Sequence, residues 1–135
     1  MLRRNHISYL MQNYGLVDTE TVEYNLAISA RFKKLSKAQK KLLFSSALEQ
    51  IGLPGYEKRK IYTLSGGEQQ RVALAKIIVK SPQLILADEP TGSLDARNRD
   101  TVLAALRHFN EEGKTIVVVT HDPTVNACAK KHIHL

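Results

Sequence analysis

Two short runs of uninterrupted apolar residues, Leu84-Ile85-Leu86-Ala87 and Ile116-Val117-Val118-Val119, limit more than anything else how this chain can fold. Runs of this length without alternation are the pattern of strands covered on both faces in a parallel sheet. Amphipathic helical stretches stand beside them. One runs from about Glu68 to Lys80 with Val72, Ala75, Ile78 and Val79 inward, and must end before Pro82. Another spans about Ala96 to Asn110 with Val102, Leu103, Leu106 and Phe109 inward, and Gly113 as its stop. Thr115 to Thr120 is the second buried strand, Ile7 to Met11 an earlier one, and His132 to Leu135 a last short one. Asp122 and Pro123 open a final helix, as cap and first residue. Strand, helix, strand, helix, strand predicts an α/β fold with right-handed crossovers.

The first half reads as mainly helical. Thr21 caps a short helix carrying Val22, Leu26 and Ala30 on one side. Ser36 with Gln39 predicts a capping box, followed by an apolar stripe of Ala38, Leu42, Leu43, Ala47, Leu48 and Ile51 up to Gly52. With 43% hydrophobic and 24% charged residues, the 135-residue chain can bury a core. No stretch approaches the about 20 apolar residues of a membrane span, and no apolar export segment follows Arg3 and Arg4. The lone Cys128 cannot form an internal disulfide, which fits a reducing cytosol, and reads as a small buried helix residue. The net charge of +7 sits almost wholly in residues 1–60, which hold eleven basic and five acidic side chains. Its densest part, Arg31 to Lys41, has six cations and no aromatic platform. It therefore predicts a solvated helix face and no nucleic-acid partner.

Chemistry concentrates in three places. Leu64-Ser65-Gly66-Gly67-Glu68-Gln69-Gln70-Arg71 lies where a loop becomes a helix. The glycines let a ligand reach the free amides of the helix start, with the serine hydroxyl as a further donor, although an ordinary capped turn has the same residues. Asp88 and Glu89 end a parallel strand, the edge at which open α/β sheets bind ligands. Asp88 suits Mg²⁺ and Glu89 suits activating a water in phosphoryl transfer, unless the pair merely caps the next segment. Thr120-His121 ends the other valine-rich strand and brings an imidazole to the same edge. Ser93-Leu94-Asp95 turns into a helix, with Asp95 as cap, contact residue or both.

In this order the residues resemble the ATP-binding cassette ATPases from Ile7 onward. Gln12 matches the family's Q-loop, Leu64 to Arg71 its signature, Leu84 to Glu89 its Walker B segment, Ser93 to Asp95 its D-loop, and His121 its switch histidine. The resemblance implies a partial P-loop NTPase (RecA-like) parallel sheet with a helical subdomain. The whole chain, 1–135, would be one partial domain, with residues 16–63 as the helical subdomain and 1–15 and 64–135 in the core. It implies ATP and Mg²⁺ as cofactors, with Glu89 as catalytic base, His121 on the γ-phosphate, and Asp88 and Gln12 at Mg²⁺ or the attacking water. Ser65, Gly66 and Gly67 would reach the γ-phosphate held by an opposite subunit, Gln69 would join the nucleotide-binding set, and Asp95 would bridge the subunits. Partners would be a second ATPase subunit, head to tail, and a transmembrane permease that places the chain at the cytoplasmic face of a membrane. The forms Tyr9 to Val17 and Leu64 to Arg71 look like the macrolide, lipoprotein-release and bacteriocin exporters, with bacteriocin export preferred.

The family's phosphate cradle, GxxxxGK[ST], is missing, since no two of the seven glycines stand five apart. The chain therefore looks like the central and later part of a cassette, expected to hydrolyse ATP negligibly by itself. The free edge of Thr115 to Val119 is expected to favour self-association or marginal stability. Two other readings remain: a translation or DNA-maintenance ATPase head, and a non-catalytic remnant lending its signature to an intact partner. His132 and His134 share a strand face but have no obvious further metal ligands.

Overall fold

The computed structural model describes residues 6–11, 15–92 and 94–131. Strand β1 (Ile7–Met11) leads through α1 (Val22–Ser29) and α2 (Lys37–Gln50) to a 3₁₀ turn (Ile61–Thr63). Then come α3 (Gly66–Lys80), β2 (Leu84–Asp88), α4 (Ala96–Glu111), β3 (Thr115–Val119) and α5 (Pro123–Cys128). The three strands form a parallel sheet in the order β1-β2-β3. Tyr9 stands beside Leu86 and Leu86 beside Val117, while Met11, Asp88 and Val119 align at the carboxyl edge.

Local chemistry sets the helix ends. Thr21 Oγ1 accepts from the Tyr24 amide, and Ser36 with Gln39 closes the expected capping box. Gly52 and Gly113 take positive φ after α2 and α4, where a side chain would be strained. Asn25, fully buried, binds both backbone groups of Val17 and the Thr21 carbonyl, which fastens the loop that leaves β1. Gln12, Ser93 and the expected strand at His132 to Leu135 lie outside the described residues.

The core is continuous from α1 to α4. Val22 and Leu26 of α1, Phe44, Ala47 and Leu48 of α2, Val72, Leu74 and Val79 of α3, Leu10 and Ile85 of the sheet, and Val102 and Phe109 of α4 belong to one cluster. Helix α3 packs on α1, α2, α4 and β1, so it is buried on most sides rather than along one stripe.

Three expectations need correction. The apolar strands are covered on one face only: burial alternates along them, leaving Tyr9, Met11, Val117 and Val119 exposed on the other. Helices α3 and α4 pack on the face that carries Leu10, Ile85 and Ala87, and no described element covers the opposite one. In α2 the inward face is Phe44, Ala47 and Leu48, with Ala38 and Leu42 turned to solvent. Cys128 is exposed because six-residue α5 buries only Val125, and the Arg107 guanidinium lies 3.5 Å from its sulfur.

Candidate nucleotide-contact and catalytic residues

Helix α3 begins earlier than its apolar pattern, because Ser65 caps it. Ser65 Oγ accepts from the Glu68 amide at 3.1 Å, and Glu68 Oε1 accepts from the Ser65 amide at 2.9 Å. This reciprocal box satisfies two backbone donors, the Ser65 and Glu68 amides, and uses neither the Gly66 nor the Gly67 amide at the helix start. The serine hydroxyl thus acts first as an acceptor, with its proton left to donate. Ser65 and Gly66 are exposed. A Cβ on Gly67 would lie 2.4 to 2.6 Å from the amide end of the Asn98 side chain, so a side chain here would displace Asn98 from its present place.

Glu68 is held from two sides. The Ser65 amide and then the Tyr56 hydroxyl, 2.7 Å from Oε2, keep its carboxyl below the usual range, and the same bond to Glu68 raises the Tyr56 phenol. A folded-state pKa below the unfolded one gives stability that is present above the ordinary carboxylate range and lost as pH falls through the depressed value. The melting temperature is expected to fall between pH 7 and pH 3, and by less in Glu68→Gln; equal losses in both proteins would contradict this.

Asp95 caps α4 by accepting from the Asn98 amide at 2.8 Å. Ser65, Glu68, Arg71, Asp95, Arg97 and Asn98 line a shallow concavity of about 260 Å³, in which Arg71 donates to Asn98 Oδ1. Gln69 does not line it: its amide nitrogen reaches back to the Ile61 and Leu64 carbonyls, each at 3.3 Å.

The second cluster sits at the carboxyl edge of the sheet. Asp88 ends β2 in solvent. Glu89 adopts φ of 45°, a left-handed geometry that costs a non-glycine residue on the order of 1 kcal/mol and gathers at functional sites. The turn lets its amide donate to the Val119 carbonyl at 2.8 Å and lays its carboxylate along the end of β3. There Oε2 accepts from the Thr120 hydroxyl at 3.1 Å and Oε1 from the His121 amide at 3.0 Å. Each oxygen keeps a lone pair, and the His121 side chain is exposed.

Sequence reasoning missed the residues that hold this edge. Thr91, buried, donates to Asp122 Oδ2, and Asp122 also accepts from the Thr124 amide, which keeps its carboxyl low. Gln70 is 1% exposed and donates to the Pro90 carbonyl at 2.9 Å, tying α3 to the loop after β2. Nothing in the apolar spacing marked it, since the stripe of Val72, Ala75, Ile78 and Val79 lies on another side of the helix. Ser65 and Asp95 therefore share one place, Asp88, Glu89 and His121 another.

The family profile described as ABC transporter matches residues 1–92. The chain is 39% identical over 134 residues to the macrolide export ATP-binding/permease protein MacB of Shigella flexneri, and 40% identical over 137 residues to that of Photorhabdus laumondii. In both cases 99% of this chain is covered and 21% of the relative, so the chain spans about a fifth of these curated relatives. Among solved structures it is similar to the dimeric ATP-binding cassette MJ0796, with a TM-score of 0.84, 34% identity, and 96% of this chain and 58% of that one covered. The same cassette in a post-hydrolysis state bound to ADP and Pi gives 0.83 at 32% identity, covering 95% of this chain and 57% of that one.

Proposed function

Because the chain belongs to the ABC transporter family, we propose that its residues form the signature-bearing and strand-end portion of an ATP-hydrolysing cassette that serves a membrane exporter. The observation that carries this reading is the carboxylate of Glu89 held by the Thr120 hydroxyl and the His121 amide beside Asp88, while Ser65 and Asp95 share a separate exposed concavity. Two separate places suit two nucleotides in a head-to-tail pair, and the dimeric cassette neighbour supports such a partner.

In this reading Ser65, with the Gly66 and Gly67 amides, binds the γ-phosphate of ATP seated on the opposite cassette, and Asp95 contacts that cassette. Gln69 fastens the turn behind the amides. Glu89 takes a proton from the attacking water and His121 binds the γ-phosphate. Mg²⁺ commonly takes one or two carboxylates and completes its shell with phosphate and water oxygens. The solvent-facing carboxylate of Asp88 fits that donor set, although no cluster of three or more acidic, His or Cys ligands occurs among the described residues. The ion, when bound, neutralises developing phosphate charge. Gln12 would join it.

Residues 16–63 are the helical subdomain facing a permease in this proposal, with 1–15 and 64–135 in the RecA-like core at the cytoplasmic face of the membrane. No described helix is long and apolar enough to cross a membrane. The MacB relatives support the exporter class; a bacteriocin or similar peptide is the narrower cargo proposed from sequence. The outer edge of β3, unpaired among the described strands, would pair with a further strand such as one from a second copy.

Positioning of the phosphates supplies most of the catalysis in phosphoryl transfer, and the chain has no cradle motif. The purified chain is expected to hydrolyse ATP at background. Grafted in place of the matching segment of the MJ0796 cassette, it is expected to restore ATP-dependent dimerisation and hydrolysis. An inactive but folded graft would refute the reading.

A further inference from the structure

The Gly66 and Gly67 amides cannot bind an anion without sharing the helix end with the Glu68 carboxylate. Glu68 stands at the third helical position, so its charge favours the helix dipole but repels any phosphate placed there. What keeps it compatible is that both of its oxygens are engaged by groups other than the Gly66 and Gly67 amides, Oε1 by the Ser65 amide and Oε2 by Tyr56. The tyrosine is itself fixed. The Arg59 guanidinium lies 4.5 Å above its ring, adding positive charge on that side. The Arg59 carbonyl accepts from the Val22 amide and the Glu57 carbonyl from the Glu23 amide, each at 2.9 Å, so the turn that carries Tyr56 is bolted to the start of α1.

We infer that Tyr56 is a positioning residue for the phosphate-contacting start of α3, acting by holding the Glu68 carboxylate away from the Gly66 and Gly67 amides. The inference rests on the proposed role of Ser65, Gly66 and Gly67 at a γ-phosphate. It adds a consequence: a displacement of α1 reaches the signature through the residue 56–59 turn and Glu68. Arg59 supports the ring rather than touching the ligand.

The test uses inorganic phosphate as the probe, titrated into the isotope-labelled chain while the Gly66 and Gly67 amide resonances are followed. Tyr56→Phe keeps the ring and its contact with Arg59 and removes only the hydroxyl. It is expected to weaken phosphate binding by about two- to fivefold, and to speed hydrogen exchange of the Ser65 amide. In a Glu68→Gln background, where no charge needs restraining, the same substitution is expected to leave phosphate affinity unchanged. Equal weakening in both backgrounds would make Tyr56 a merely structural residue and overturn the inference. So would wild-type affinity in Tyr56→Phe. Wild-type amides that do not respond to phosphate would overturn the signature reading and this inference together, whereas a wild-type response indifferent to Tyr56 would overturn the inference alone.

Discussion

Glu89→Gln in the grafted cassette is expected to lower steady-state ATP hydrolysis by about a hundred- to ten-thousandfold, the usual contribution of a positioned general base. Stability should barely change, and the hydrogen bonds of Glu89 say why. Its Oε1 accepts from the His121 amide, which can only donate, and its Oε2 meets the Thr120 hydroxyl, which can donate or accept. A glutamine therefore has one satisfied orientation, with its oxygen on His121 and its NH₂ on Thr120. The left-handed turn and the tie to β3 survive, and only the proton acceptor is lost. Melting temperature and nucleotide affinity should stay near those of the parent graft while kcat collapses. A parallel loss of melting temperature would mean that the carboxylate serves the fold, and an unchanged kcat would remove Glu89 from the chemistry.

The sheet was legible because short apolar runs separated by amphipathic helices admit few other arrangements, and the three described strands lie where their residues predicted. What covers a strand was not legible. Leu84 to Ala87 is apolar throughout, yet among the described residues only its Ile85 and Ala87 side is buried, and nothing within such a run says from which side helices arrive. The α2 stripe held at Ala47, Leu48 and Ile51, which are buried, and missed at Ala38 and Leu42 for a related reason: Leu42 and Phe44 lie two positions apart on nearly opposite faces, and either face offered apolar residues. Within the candidate site, residues that announce themselves by type and order were readable, such as Asp88, Glu89 and the Ser65 cap. The groups that hold them act through tertiary contacts. Tyr56 meets Glu68 across a turn, Thr91 meets Asp122 across the sheet edge, and Gln70 meets a backbone carbonyl. None has a spacing that sequence periodicity can detect. Glu89 is the instructive case, since its residue type suggested chemistry but its positive φ, which aims the carboxylate at β3, had no glycine to mark it.

Leu74→Ala is expected to cost about 2 to 5 kcal/mol of folding stability, from lost transfer energy and the cavity left behind. The upper part of that range applies where neighbours cannot collapse inward, and Leu74 is fully buried in the middle of α3, the helix that touches α1, α2, β1 and α4. Movement of any one of these toward the cavity would pull it from the others. Domains of this kind hold about 5 to 15 kcal/mol in total, and here one apolar sheet face is covered by no described element, so the substitution should bring the isolated chain near its unfolding limit. Leu42→Ala removes the same atoms from a side chain 72% exposed on α2 and should change stability by no more than about 0.5 kcal/mol. Urea denaturation of the two variants side by side separates burial from residue type. Similar midpoints would mean that α3 is not the hub of the core, while a large loss for Leu42→Ala would show that the exposed face of α2 is covered in solution.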